Sequence, residues 1–440
     1  MTNRTPSIAP LEDFVAAFNS YEAEAGIFSL RDEHGVQWWD LVRYRVQFEL
    51  CVERGVHGRS TAIPSPILVR AASFIAQAHR LVHDVIQLNK CDTFRAHTLI
   101  VSQRSLEYIE DVTAAKAERG ERVFFVSQSG DVRGPNMAIK YQSVHFVSRM
   151  LYRLQRLPPD VAQEARRLAD DISKRFNSEA DIFGVIVKKY REELIARRLW
   201  SFILGRARAV ERVLYVNDDT LKSLVILARA RGIDTEEVQH GYMGRTHIGF
   251  SYPPLSGTLA TLPNRVIVTR DSGDITYPVE HAFVKKMAKE RSAVPRTIDV
   301  LIGSSPTLRE ETQDVVAALV GKGLRVALKL HPAETRKSSA IVARYSAEEV
   351  TVHPGDQDFC DLAWQAHVFI PVNATSTTAF EAADMGARVV MVDFRGIKKT
   401  GAADAVTCAR ASSLHASPEV VRSQLQASSE GTGFATEDEK

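Results

Sequence analysis

The chain has 440 residues, 45% of them hydrophobic and 25% charged, with a formal net charge of +2. These fractions match soluble globular proteins, the length implies two or three domains, and the small net charge argues against a dedicated nucleic-acid binder. Cys51, Cys91, Cys360 and Cys408 are scattered without a C-x-x-C pair, so neither a zinc site nor a disulfide framework is indicated and a reducing cytoplasm is expected. The first residues lack the apolar core of a signal peptide, and no stretch reaches the roughly eighteen uninterrupted apolar residues of a membrane span.

Along the chain, Phe28 to Trp38 predicts two short strands around a turn, and Trp39 to Leu50 carries apolar residues at helical spacing, its Trp and Tyr read as core anchors. From about residue 91 strands alternate with helices. His97–Ser102 and Glu121–Val126 read as strands with a helix between them, and Ser102 to Ser105 is either a site loop or a plain turn. Residues 151–210 read as two long basic helices. If Leu199, Trp200, Phe202 and Ile203 face outward, with Arg197, Arg198, Arg206 and Arg208 around them, this stretch suits anionic lipid headgroups. The commoner arrangement is a core-facing helix with a solvated charged face. Arg212–Val216, a helix over Leu221–Arg231, and Asp234–Val238 complete a strand–helix–strand unit, which implies a parallel sheet with right-handed crossovers.

Two loops of this first set carry chemistry. Asn217-Asp218-Asp219-Thr220 follows a strand, so its carboxylates land at the carboxyl end of the sheet. A carboxylate there suits proton abstraction from a hydroxyl or attack on an anomeric carbon. One of the two aspartates is expected to cap the following helix instead; Asp218 is assigned to chemistry and Asp219 to the cap. His240 closes the next strand, with Gly241, Gly244, Arg245 and His247 nearby. That combination suits an anionic sugar carboxylate or phosphate, the alternative being a buried His satisfied by a carbonyl.

A second strand–helix set runs from Thr297 to Asp393. The strand end Val300–Pro306 supplies Gly303, Ser304 and Ser305, small residues that let a ligand approach the backbone. Val326–Leu330 delivers Lys329, His331 and Pro332 to a strand end, where a cation and an imidazole can neutralise a phosphate leaving group. Pro332 stops the strand and fixes the loop. Val368–Val372 then gives way to four hydroxyl residues, Thr375, Ser376, Thr377 and Thr378, opening a helix that Gly386 closes. Hydroxyls at a helix start are either caps or a phosphate seat, and Glu381, one turn on, suits the paired hydroxyls of a ribose.

Lys-x-His-Pro at a strand end, followed about forty residues later by a Ser/Thr cluster opening a helix with Glu-Ala and Gly, resembles the donor half of GT-B glycosyltransferases. It is most similar there to capsule-type β-Kdo transferases and bacterial sialyl- and polysialyltransferases. Glu237-Val-Gln-His-Gly-Tyr242 adds a Gln-His-Gly segment found in capsule polysaccharide proteins. The resemblance covers roughly residues 205–410. It implies an α/β, GT-B-like architecture: two Rossmann-like domains facing across a cleft, with helical N-terminal additions. The expected division is an N-terminal segment at 1–90, an acceptor and catalytic domain at 91–290 with its helical insertion near 151–210, a donor domain at 295–425, and a disordered tail at 427–440. The resemblance further implies a CMP-activated 2-keto acid sugar, Kdo or sialic acid, as donor, and a glycan or lipid-linked glycan of the bacterial surface as acceptor. No cofactor or metal is required, and the basic helical stretch leaves peripheral contact with the inner membrane open beside the core-facing arrangement. Lys329 and His331 would hold the leaving CMP phosphate, Ser376, Thr377 and Thr378 would add hydrogen bonds, and Glu381 would take the ribose. Retention and inversion both stay open. Alternatives are a UDP- or dTDP-sugar transferase, a CDP-polyol phosphotransferase, a nucleotide-sugar 2-epimerase, or a noncatalytic member of an assembly complex.

Overall fold

The structure, a computed structural model, describes residues 11–54, 77–79, 81–84, 96–102, 118–127, 137–216, 221–239, 247–268, 277–283, 295–306, 308–332, 350–373, 378–392, 408–411 and 414–430, with single positions and pairs between them (109, 112, 115–116, 243, 334, 342 and 345). It contains two all-parallel sheets. The first has seven strands: β1 (Thr98–Ser102), β2 (Val123–Ser127), β3 (Met137–Lys140), β4 (Arg212–Tyr215), β5 (Asp234–Val238), β6 (Arg265–Val268) and β7 (Glu280–Phe283), in the order β3-β2-β1-β4-β5-β6-β7. The second has six: β8 (Ile298–Gly303), β9 (Val326–Lys329), β10 (Thr351–His353), β11 (Ala366–Pro371), β12 (Arg388–Val392) and β13 (Cys408–Ala411), in the order β10-β9-β8-β11-β12-β13.

Counted within each sheet, both follow the doubly wound order 3-2-1-4-5-6, the first adding a seventh strand. This is the Rossmann arrangement, whose crossover helices cover both faces and whose strands are therefore apolar on both sides. Along β1 successive side chains enter opposite cores: Leu99 and Val101 join Trp200, Val213 and Leu224 on one face, while Ile100 packs with Phe125, Leu214 and Ile267 on the other. In the second sheet Val300 and Ile302 pack on one face, Leu301 and Phe369 on the other.

The helical additions form a third core. Helices Leu11–Glu24 and Trp38–Glu53 pack through Phe14, Phe18, Trp39 and Val46 onto Leu168, Ile186 and Tyr190 of helices Pro159–Arg175 and Ile182–Arg206. The apolar side of Ile182–Arg206 also enters the first sheet's core. Trp200 and Ile203 are buried and Leu199 packs against them, so of the four residues considered for lipid contact only Phe202 stands exposed. Buried ion pairs tie the additions to the sheet. Arg43 donates to both carboxylate oxygens of Glu22 and to the Ser251 carbonyl, and Lys222 donates to Asp40 at 2.7 Å.

Two expectations change. Residues 28–38 form no strand: a 3-10 turn spans Ile27–Ser29, and the Asp32 carboxylate then accepts the amides of His34 and Val36 in a tight turn with Gly35 at φ 73°. Side-chain capture of those amides replaces a ladder. At the other end, helix Ser417–Glu430 runs into the stretch expected to be a tail.

Candidate nucleotide site at the second sheet

In doubly wound sheets ligands sit outside the carboxyl ends of the strands, where the order reverses. In the second sheet that point lies between β8 and β11. Pro371 is in register with Gly303, and the Val372 amide donates to the Gly303 carbonyl at 3.2 Å. On the other side of β8, the Ser304 amide donates to the Lys329 carbonyl at 3.0 Å. Three loops therefore leave side by side: Ser304–Ser305 from β8, His331–Glu334 from β9, and the segment from Asn373 that leads to helix Thr378–Asp384.

The first two loops are locked by Glu334. Ser304 Oγ donates to its Oε2 at 2.5 Å, and the His331 amide donates to Ser304 Oγ at 2.8 Å and to Glu334 Oε2 at 3.3 Å. The Glu334 amide closes the turn on the His331 carbonyl at 2.8 Å. Glu334 is buried, with Arg309 at 3.7 Å. A buried carboxylate holding two neighbouring loops fixes where His331 projects. His331 is half-buried and Pro332 exposed at the start of a short 3-10 turn. The motifs of the sequence assign Glu334 no role; an acid three residues beyond His331 was the available signal.

Lys329 is placed differently from expectation. Its ammonium is buried and donates to the carbonyls of Leu330 at 2.9 Å and Gly355 at 3.0 Å, bracing the loops beyond β9 and β10. Desolvation lowers its pKa, partly offset by Asp356 and Asp358. Gly303 has a packing reason for lacking a side chain: a Cβ there would stand 2.9 Å from Phe369 Cζ.

Helix Thr378–Asp384 ends as the sequence predicts. The Ala387 amide reaches the Ala382 carbonyl and the Gly386 amide the Ala383 carbonyl, both at 2.9 Å, with Gly386 at φ 77°. This is the Schellman closure that favours glycine. Thr378 opens the described part of the helix and Glu381 lies one turn on, both half-buried. Ser376 and Thr377 lie outside the described residues.

Asp218, Asp219 and His240 also lie outside them, but their flanks are fixed. Val216 donates to the Val101 carbonyl at 3.1 Å, which puts the end of β4 beside the end of β1, the reversal point of the first sheet. Helix Lys222–Ala230 begins just beyond, and its first residues are anchored on both sides. Lys222 reaches Asp40 and Tyr252, while Ser223 donates to Glu193 at 2.5 Å. Asp40 also accepts from Tyr252 at 3.0 Å and from Thr261. Burial raises its pKa, but Lys222 and Arg43 outweigh it and hold the carboxyl below its ordinary value. After β5, the Gln239 amide donates to the Ile267 carbonyl at 2.9 Å, so the described chain reaches the same edge of the sheet at Gln239.

No family model and no curated protein matches the sequence. Similar solved structures include MurG from Acinetobacter baumannii, 14% identical with a TM-score of 0.37, covering 76% of this chain and 95% of that one. The spinosyn rhamnosyltransferase SpnG is 12% identical with a TM-score of 0.43, covering 77% and 93%. A UDP-N-acetylglucosamine 2-epimerase from Rickettsia bellii is 11% identical with a TM-score of 0.40, covering 76% and 88%. At these identities and scores the likenesses carry no argument, and the fold rests on strand order.

Proposed function

We propose that the chain is a nucleotide-sugar glycosyltransferase whose second sheet holds the donor nucleotide, and that the donor is a CMP-activated 2-keto acid sugar such as Kdo or a sialic acid. One observation carries the first part: the His331 loop and the segment leading into helix Thr378–Asp384 flank the β8–β11 reversal point, the place a doubly wound sheet offers a nucleotide. The choice of CMP rests on the motif resemblance.

In this reading His331 and the hydroxyls of Ser376, Thr377 and Thr378 take the CMP phosphate, with Glu381 on the ribose and Pro332 shaping the loop. Ser304 and Glu334 hold His331 in place, and Lys329 supports the loops from below. The acceptor hydroxyl attacks the anomeric carbon as the bond from that carbon to the phosphate oxygen breaks, and CMP departs with the electron pair. Asp218 takes the acceptor proton, with His240 as the second candidate and Asp219 assigned to the helix cap; in a retaining version an aspartate attacks the anomeric carbon first, expelling CMP, and the acceptor hydroxyl then displaces that aspartate. The two sheets would then face each other across the donor, the acceptor being a glycan or lipid-linked glycan of the bacterial surface.

The test is nucleotide release from CMP-Kdo, CMP-sialic acid and UDP-sugars in the presence of extracted surface glycans. CMP release that requires the glycan and disappears in Asp218→Ala supports the reading. Release only from UDP-sugars overturns the donor assignment, and interconversion of a nucleotide-sugar without any acceptor overturns the transferase.

A further inference from the structure

Helix Tyr141–Leu151 is followed by a 3-10 turn over Tyr152–Leu154 and then by helix Pro159–Arg175. Of the five large hydrophobic side chains that stand exposed among the described residues, three lie here: Met150 at 47%, Leu151 at 40% and Leu154 at 79%. Arg149, Arg153 and Arg156, all exposed, alternate with them. From Tyr141 to Pro159 there is no Asp or Glu. Glu192 of the neighbouring helix feels Arg149, but Lys188 and Lys189 stand beside it as well.

The exposure does not come from a slack loop. Val144 is buried in the first sheet's core, Leu157 packs on the helical core, and the Gln155 amide closes the turn on the Tyr152 carbonyl at 3.1 Å. Beyond it the Ala162 amide donates to the Pro158 carbonyl at 2.9 Å, with Pro159 pre-set for the first helical turn. A turn fixed on both sides thus exposes apolar side chains interleaved along the chain with arginines. Tyr152 sits among them, its hydroxyl accepting from Arg153 Nε at 3.2 Å.

We infer that this turn docks the protein on an anionic phospholipid surface. Leu154, Leu151 and Met150 enter the boundary between headgroups and acyl chains, while the arginines stay at the phosphates, their stems lying along the apolar side chains. The pattern fits lipid better than nucleic acid, because three adjacent apolar tips have nothing to pair with on a phosphate backbone. It is distinct from helix Ile182–Arg206, whose apolar side is used by the core. The inference stands on this turn alone and does not depend on the donor assignment.

The experiment is flotation of the full chain with vesicles of phosphatidylcholine alone and of phosphatidylcholine with about 30% phosphatidylglycerol, at low and high salt. Expected is flotation with the anionic vesicles only, weakened by salt. Arg153→Gln with Arg156→Gln should lower partitioning roughly twenty-five-fold, taking about fivefold per arginine. Leu154→Asp should abolish it. All of these positions are exposed, so unchanged urea midpoints confirm that the variants fold. The inference is overturned if the chain ignores both vesicle types, floats equally with both, or floats undiminished in the variants. It is also overturned if light scattering finds a dimer that Leu154→Asp splits while no vesicle binding occurs, since the patch then serves a second copy of the chain.

Discussion

Replacing Asp40 by Asn removes the charge that neutralises a buried ammonium. Lys222 is 2% exposed, and its Nζ donates to Asp40 Oδ2 at 2.7 Å and to Tyr252 Oη at 2.9 Å. With Asn at position 40 the tyrosine remains, but the carboxylate hydrogen-bonded to Nζ is gone. Breaking a buried pair from one side costs about 3–5 kcal/mol, because the surviving charge stays desolvated. Removing both charges in Asp40→Asn with Lys222→Met should recover part of that loss, giving a coupling of about 1–3 kcal/mol. Urea unfolding followed by tryptophan fluorescence reads this, since Trp38, Trp39 and Trp200 are all buried. A single-variant cost below about 1 kcal/mol, or a double variant as unstable as the sum of the singles, would refute the claim that this pair fastens the N-terminal helices to the sheet.

The same pair sets an acid limit. Asp40 is held below its ordinary carboxyl value of 3.8, so its contribution is complete above that value and is lost as pH falls through the lower folded-state pKa. The stability gap between the native chain and the Asp40→Asn, Lys222→Met variant should therefore hold at neutral pH and close only below about pH 4, measured as urea midpoints across pH. Gly303→Ala would press a methyl against Phe369 at 2.9 Å and should cost about 1–3 kcal/mol; Phe369→Leu in the same chain should restore most of it, as read by urea midpoints. Glu334→Gln loses a charged acceptor shared by Ser304 and His331, worth about 1.5–3 kcal/mol. Nucleotide affinity should fall by roughly tenfold in a calorimetric titration, whereas unchanged affinity would show that the Ser304–Glu334 lock does not serve the site.

Much of the architecture was legible because parallel strands are buried on both faces and read as short apolar runs between helical patterns, as Arg212–Tyr215 and Arg388–Val392 do. Gly386 was legible because a left-handed helix end leaves few other choices. What failed was information carried by distant partners. Residues 28–38 have the polarity of a hairpin, yet the Asp32 side chain captures the amides a ladder would need. A lysine at a strand end can point to a ligand or fold back on carbonyls, and the carbonyls of Leu330 and Gly355 decided it for Lys329. The basic helix 182–206 carries apolar residues on a side that suits lipid or core equally, and burial of Trp200 chose the core. Asp40 and Lys222 are 182 positions apart, a pairing that no local spacing reveals. The polar chemistry of the site was named from motifs, but the carboxylate that organises it, Glu334, depends on a contact with Ser304 across two strands.

The most direct measurement is calorimetric titration of the purified chain with CMP and with UDP. The account predicts CMP binding that exceeds UDP binding and is lost in His331→Ala, with the fold of that variant intact by urea unfolding. Binding of neither nucleotide, or CMP binding that survives His331→Ala unchanged, would contradict a nucleotide seat at the β8–β11 edge.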